Sequence, residues 1–450
     1  MTSLGIVSRG TGSGHQGSRL LTTGLNSGDT PYGTICGGEG VYFLLESGHR
    51  LLDASNTGGP LGHQHPDIVA AIREAATAPV INEGWLWPNR VRAAEDLVEL
   101  AFNGEPWVGA VRFGLSGSEA NDLALSLSQA LTGRQALATR ERAYHGMTGL
   151  ARDMTVQPHW HGGLSSLDGG VRPVPRAERV VQLPRPAGER IGPSKPETPE
   201  IPAGALDDVA AVIIDYTQGG TYYDPAYQDA VAAEARRAGT LWIADEVVTG
   251  LGRMGRWFAF QGAESRPDIV TLGKPLGGGG APSGAIVVSE ELLRELEGQT
   301  WQTYSTFRGH PLLVAGVRAY LKVVQRDNLL GRVAQLDGDV ENRMRRIAEQ
   351  HPSVRRIDGR GLHWSIELQG AGSWRDWNAD TRESPLATRV VGRALDAGVL
   401  FGTSGERDSI FFAPPLIISD DELDTAFQAL DHGLELADQA LEQTGSANAA

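Results

Sequence analysis

Three features of this chain are suited to chemistry: a lysine before four glycines, a carboxylate inside an apolar strand and a well-capped helix start. Only three of the forty basic residues are lysines. Lys195 lies in the Pro-rich IGPSKPETPE, and Lys322 in the helix-patterned VRAYLKVVQR, where its stem reaches toward water. Lys274 instead ends the apolar run of DIVTLGKPLGGGG. Its amine is expected at a strand end beside pliable backbone, where partial loss of hydration eases deprotonation, as a Schiff-base nucleophile requires. The local sequence equally accommodates a lysine that merely points out of a turn.

In TLWIADEVVTG, side chains alternate across an otherwise buried strand, so Asp245 and Val247 face one way and Glu246 the other. A buried carboxylate needs a cation or donors. A protonated ring nitrogen would serve Asp245, as would a neighbouring Arg or backbone N–H. In FGLSGSEANDLALSLSQALTG, Ser116 and Glu119 have capping-box spacing, which puts Gly117 and Ser118 in the first helical turn with unpaired N–H groups. Those groups and the helix dipole suit a phosphate; a capped helix with no ligand has the same pattern.

The elements around these residues alternate. From about residue 90 to 320, helical patterns such as VRAAEDLVELAF and DAVAAEARRAG separate short apolar strands: VGAVRFGL, QALATR, VAAVIIDY, TLWIADEVV, DIVTLG and GAIVVS. That order predicts a mostly parallel α/β sheet with helices on both faces. Residues 158–204, rich in Pro and Gly, read as a surface excursion. Beyond about 325, LLGRVAQLDGDVENRMRRIAEQ, LHWSIELQ, LATRVVGRALDAG, SIFFAPPLII and a last helix from Asp420 read as a second, α+β block.

Other patterns point away from competing functions. Gly250–Gly255 spells G-x-G-x-x-G, but RWFAFQG after it is not a helix start, and Lys274 lacks the flanking residues of a P-loop. The pairs His63/His65 and His159/His161 would need further ligands to hold a metal, so none is expected. With a net charge of −15, neither nucleic acid nor an anionic membrane is the expected partner. Cys36 is the only cysteine, no apolar run approaches about 20 residues, and the N-terminal MTSLGIVSRGTGSGHQGSR has no apolar signal core. Cytoplasmic residence is the expectation.

The ordered segments LGHQHPDIVAAI, SGSEAND, YHGMT, IADEVVTGLGRMG, TLGKPLGGG, STFRGHPLLVAG and FFAPPLIISDDEL resemble the class III (ω-type) aminotransferases among fold type I pyridoxal-phosphate enzymes. The resemblance runs from about residue 40 to 430. It implies an α/β fold: a large domain with a mostly parallel seven-stranded sheet, and a smaller α+β domain from both ends of the chain. The corresponding division is a flexible arm at 1–30, the N-terminal part of the small domain at 31–80, the large cofactor domain at 81–324 and the C-terminal small domain at 325–450. It also implies a ping-pong transaminase using pyridoxal 5'-phosphate, with a small-molecule amino donor and a carbonyl acceptor. Lys274 would form the Schiff base and move the substrate proton. Asp245 would hold the pyridine nitrogen, with Tyr144 and Val247 on the two ring faces. Gly117 and Ser118 would take the phosphate, and His145 of the YHGMT motif joins the cofactor set. Thr306 would reach the phosphate bound by a second subunit, which makes a homodimer with shared active sites. An aminomutase of the same family is the alternative.

Two departures bear on substrate. Where relatives that use 2-oxoglutarate carry a Glu and an Arg, this chain has Gly220 and Phe411. Trp85 and Trp87 stand where the family lines its substrate pocket, and Arg407 near where some members carry a mobile carboxylate-binding Arg; a solvated loop Arg explains it as well. An aromatic wall without a fixed carboxylate clamp suits a bulky or weakly charged substrate.

Overall fold

A computed structural model describes residues 34–447 except 158–159, 161–162, 166–170, 173, 175–178, 187–189, 193–198, 218–223, 370–384 and 404–408. Its centre is a seven-stranded sheet in the order Val108–Gly114, Gly284–Ser289, Ile269–Leu272, Leu241–Asp245, Val209–Asp215, Ala136–Arg140, Val180–Leu183. The last five run parallel, and Gly284–Ser289 is antiparallel to both of its neighbours. Every residue of Val209–Asp215, sequence VAAVIID, is buried. That is the pattern of a strand covered on both faces, where each Val or Ile contributes about 1.5–3 kcal/mol by leaving water.

The flanking helices start where local chemistry lets them. Gly117–Thr132 begins at Ser116, whose hydroxyl accepts the Glu119 N–H. Pro225–Ala238 begins at Asp224, whose carboxylate accepts the Ala226 and Tyr227 N–H groups, with Pro225 where a missing N–H costs nothing.

One expectation is corrected. The 158–204 stretch is not wholly a surface excursion, because its VVQL segment, Val180–Leu183, adds the outer parallel strand beside Ala136–Arg140. Four residues with one fully buried side chain carry too little pattern to show as a strand among prolines. Ile191 in the same stretch bridges to Ile357 of the C-terminal block.

The two ends of the chain meet. Ile35–Glu39, Tyr42–Leu45 and Arg50–Asp53 form a sheet completed by Val399–Leu400, which pairs parallel with Arg50–Asp53. A further four-stranded sheet holds Val354–Arg360, His363–Leu368, Ser409–Phe412 and Gly402–Thr403, backed by the helices Leu386–Asp396 and Asp420–Ala447. Among the described residues no helix is long and apolar enough to cross a membrane.

Candidate active site

Parallel strands deliver their last residues to one edge of a sheet, where ligand crevices form. Here Ala136–Arg140, Val209–Asp215 and Leu241–Asp245 end in Arg140, Asp215 and Asp245, and Lys274 follows Ile269–Leu272 by two residues. Asp245 is in register with Asp215 on one side and Thr271 on the other. A cleft of about 550 Å³ opens there, and Gly117, Ser118, Tyr144, His145, Asp245, Val247 and Lys274 all line it.

Asp245 is the hub. Its Oδ2 accepts Asn121 Nδ2 at 2.8 Å and His145 Nδ1 at 2.7 Å, and its Oδ1 accepts the Val247 N–H at 3.0 Å. An ionised carboxylate can only accept, so the proton of this contact sits on His145 Nδ1, and Nε2 meets Thr139 Oγ1 at 2.8 Å. Asn121 also donates to the His145 carbonyl at 2.7 Å. His145 therefore holds Asp245 from behind, while Tyr144 beside it lines the cleft. Burial and then the negative charge of Asp245 push the Tyr144 hydroxyl pKa up.

Asp215 has its own counterion. Arg140, fully buried, meets Asp215 Oδ1 through Nη2 at 2.8 Å and the Asp215 carbonyl through Nε at 3.1 Å. The next carboxylate along the sheet, Asp245, faces no arginine in its described contacts. A protonated ring nitrogen fits that vacancy in charge.

Lys274 is half-buried in a residue with φ of 29°, a conformation that costs on the order of 1–3 kcal/mol for a side-chain-bearing residue. Loss of hydration pushes its amine pKa down, and Asp245 and then Asp215 pull it partly back up. Its position depends on close backbone approach. A Cβ on Gly273 would lie 2.9 Å from Gly117 Cα, and a Cβ on Gly117 would lie 2.6 Å from Val247 Cγ1. The lysine turn, the helix start and the Asp245 turn thus touch through positions with no room for a side chain.

The helix start is capped differently from the sequence pattern. Ser116 Oγ accepts the Glu119 N–H at 3.2 Å, but Glu119 Oε2 returns to the Leu115 N–H, at 2.5 Å, and not to Ser116. Among the described residues no protein group accepts from the Gly117 or Ser118 N–H. Two free donors at a helix N-terminus, with the Ser118 hydroxyl beside them, fit a phosphate, while Lys274 and Asp245 fit an aldehyde and a pyridine nitrogen.

Glu246 turns away from the cleft. Its Oε2 accepts Thr249 Oγ1 at 2.5 Å and its Oε1 the Phe260 N–H at 2.8 Å, and burial raises its pKa to about 7.

The remaining candidates lie elsewhere. Thr306 is exposed and does not line the cleft of its own chain. Neither do the two tryptophans: Trp85 is 70 % exposed, and Trp87 packs partly on the core as the cap of the Pro88–Ala101 helix. Arg407 and Gly220 lie outside the described residues, as do His159 and His161. His63 pairs with Asp53 at 3.2 Å, and no group of three or more metal-ligating side chains occurs among the described residues. Phe411 sits half-buried on Ser409–Phe412, its ring 5.7 Å from that of His363, whose pKa is pushed down to about 3 by burial, then by Arg253 and Lys274.

Sequence reasoning missed Asn121, Thr139 and Arg140. SGSEAND places Asn121 one helical turn beyond Gly117, which is the one signal that could have found it. Thr139 and Arg140 end a strand next to the carboxylate strands, and only the strand order reveals that adjacency.

Comparison with known proteins gives the chain's relatives. The family model for class-III aminotransferases matches residues 26–434. An acetylornithine aminotransferase from Streptomyces clavuligerus is 33% identical, over 89% of this chain and 91% of its own length. An ethanolamine-phosphate phospho-lyase homolog from Caenorhabditis elegans is 29% identical over 88% of this chain and 87% of its own. Among solved structures, an S-selective transaminase from Arthrobacter sp. superposes with a TM-score of 0.85 at 29% identity, covering 94% of this chain and 96% of that one.

Proposed function

The chain belongs to the class-III aminotransferases, and on that premise we propose how its own residues perform the transfer. It is a fold type I, pyridoxal-phosphate-dependent transaminase that moves an amino group from an amine or amino acid to a carbonyl acceptor. The relatives named above do not favour the aminomutase alternative.

The observation that carries the reading is one cleft with an amine at one side, an arginine-free carboxylate beside it and two free N–H groups at a helix start. When bound, the cofactor supplies an electron-accepting ring that lowers the acidity barrier at the substrate carbon bearing nitrogen. Lys274 Nζ would hold the cofactor's aldehyde end and would move the proton of that carbon. Its lowered pKa keeps the amine available as a base. Asp245, oriented by Asn121, His145 and the Val247 N–H, would face the ring nitrogen and favour its protonated form. Tyr144 and Val247 would bracket the ring, and the Gly117 and Ser118 N–H groups would bind the phosphate.

The acceptor is not one that requires a fixed arginine clamp. Phe411 is an apolar side chain, and His363 beside it is neutral at working pH. We assign a bulky or weakly charged amine or carbonyl compound as the preferred substrate. The functional unit is a homodimer: Thr306 is exposed, and Trp85, Leu86, Tyr304 and Phe307 expose 50–87 % of their surface in the two neighbouring segments around it. Arg90, which donates to the Trp85 and Gly309 carbonyls, holds those segments together. In the dimer Thr306 would reach the phosphate bound by the partner subunit, and Trp85 would face the partner's pocket. The domain division at 31–80, 81–324 and 325–450 and cytoplasmic residence belong to the same proposal; a single cysteine makes no demand for an oxidising compartment.

The test is to load the protein with pyridoxal phosphate, follow the visible absorbance, and titrate a panel of amines and amino acids with and without carbonyl acceptors. Amine alone should bleach the colour in a single turnover, and acceptor should restore it. Lys274→Ala should fold and lose turnover. Multiple turnover by Lys274→Ala, or continuous turnover of one substrate with no acceptor, would overturn the mechanism; activity confined to small dicarboxylic amino acids would overturn the substrate assignment.

A further inference from the structure

Beside the cleft, four charged side chains close into a neutral cluster that the chemistry above leaves unused. Arg308, with 8% of its side chain exposed, donates from Nε to Glu119 Oε1 at 2.9 Å. Its Nη1 donates to Glu83 Oε1 at 3.3 Å and to Thr303 Oγ1 at 3.1 Å. Arg112 Nη2 completes the group, donating to Glu83 Oε2 at 3.0 Å and to the Thr303 carbonyl at 2.9 Å. Glu83 Oε1 further accepts the Ser305 N–H at 2.5 Å.

The cluster joins stretches of chain that are far apart in sequence. One is the turn at Glu83. A second runs from Arg112 to Glu119 and includes Ser116, Gly117 and Ser118 at the cleft wall. The third is the loop from Thr303 to Arg308, which carries Thr306. Glu119 is the joint between the second and the third, because one carboxylate oxygen fastens the Leu115 N–H ahead of the helix and the other fastens Arg308.

We propose that Arg308 is a positioning residue for the cofactor phosphate, setting the Ser116–Ser118 turn of its own site through Glu119 and the placement of Thr306 through the loop they share. This rests on the reading above, in which Gly117, Ser118 and, across the dimer, Thr306 contact phosphate. Without the guanidinium, Glu119 would lose its ion-pair partner among the described residues, and Glu83 would keep Arg112. Glu119 would then swing toward water and release the Leu115 N–H. Arg308, Glu119, Glu83 and Arg112 make no described hydrogen bond or ion pair to Asp245 or Lys274; only the packing of Gly117 on Gly273 and Val247 links the two ends. The effect of losing Arg308 is therefore greatest at the phosphate.

The experiment compares apparent Kd for pyridoxal phosphate and for pyridoxal, which lacks the phosphate, in wild type, Arg308→Gln and Arg308→Lys, read from the visible absorbance. Arg308→Gln should raise the pyridoxal-phosphate Kd about tenfold, the worth of roughly one charge-assisted hydrogen bond, while changing the pyridoxal Kd less than about twofold. Arg308→Lys should fall between, since an ammonium keeps the charge but not the fork. A fall in affinity that is equal for both aldehydes, or an unchanged pyridoxal-phosphate Kd, overturns the inference. Should Arg308→Gln not fold, Glu119→Ala carries the same test, because it removes both the Leu115 contact and the carboxylate that Arg308 grips. Wild type that binds neither aldehyde would sink the parent reading and this inference together. A Thr306→Val change with no phosphate-selective effect would remove only the cross-subunit arm of the proposal.

Discussion

Glu246 lets the physical reading be tested by stability alone. The unfolded chain ionises this carboxyl near 4.5, whereas burial in the folded protein raises its pKa to about 7. Between those values the native state binds more protons than the unfolded state, so stability falls as pH rises from about 4.5 through about 7 and is flat above. A shift of roughly 2.5 units corresponds to about 3 kcal/mol. Glu246→Gln removes the titration and keeps the shape; its carbonyl oxygen can still accept the Phe260 N–H, and the Thr249 hydroxyl can turn to accept from the new amide. The variant should match wild type near pH 5 and exceed it by about 3 kcal/mol at pH 8. For a chain of 450 residues that difference corresponds to roughly 3–4 °C in melting temperature. Differential scanning calorimetry of both proteins across pH 5–8, saturated with cofactor, gives the difference, and groups that titrate alike in both cancel. A gap that stays constant with pH, or that widens in favour of wild type, would refute the burial argument. Because Glu246 faces away from the cleft, the pH profile of kcat should be the same in both.

Two further changes probe the cleft. Asp245→Asn puts an amide among three donors, from Asn121, His145 and Val247, so one of them must lose its acceptor, and the ring nitrogen loses its counter-charge. At saturating cofactor kcat should fall by on the order of 10²–10³, with the circular dichroism spectrum unchanged, and retention within threefold would remove Asp245 from its role. Gly117→Ala drives a methyl to 2.6 Å from Val247 Cγ1, an overlap that should cost about 1–3 kcal/mol in stability and weaken cofactor binding. Adding Val247→Ala clears the space. The double variant should therefore be less destabilised than the sum of the single changes, and strict additivity of the melting shifts would show that the two residues do not touch.

The large sheet was legible because its strands are short, apolar and separated by amphipathic helices. VAAVIID and IVTL are buried at every position, and burial on both faces leaves a composition that a sequence shows directly. Val180–Leu183 was not legible, since it borrows its stability from the neighbouring strand Ala136–Arg140 and not from its own pattern. Lys274 and Asp245 could be read for the same reason as each other: a charge in an apolar run is costly enough to demand an explanation. Trp85 shows the limit of that argument. An aromatic residue in a connecting segment packs or faces outward according to contacts the segment does not encode, and here it faces outward.

The polar network was the hardest part to read, and its spacing explains why. Asn121 and Asp245 are 124 positions apart, His145 and Asp245 100, and Arg308 and Glu83 225. Each of these side chains looks ordinary in its own segment: Asn121 is one polar residue on a helix, and Arg308 one of many arginines. They become informative only when strand order brings Ala136–Arg140 and Leu241–Asp245 to opposite sides of Val209–Asp215 and places the Gly117–Thr132 helix against the latter two strands. Charge then decides which acid serves chemistry. Asp215 and Asp245 are adjacent, buried and identical in type, so the burial pattern alone does not choose between them, and it is the IADEVVTGLGRMG motif that singles out Asp245 in the sequence. Arg140 neutralises Asp215, while Asp245 receives a ring nitrogen of histidine, an amide and a backbone N–H. If that distribution of donors, and not strand position, selects the ring partner, then Arg140→Met should misdirect the site by leaving Asp215 to compete, and the loss should appear in kcat before it appears in the melting temperature.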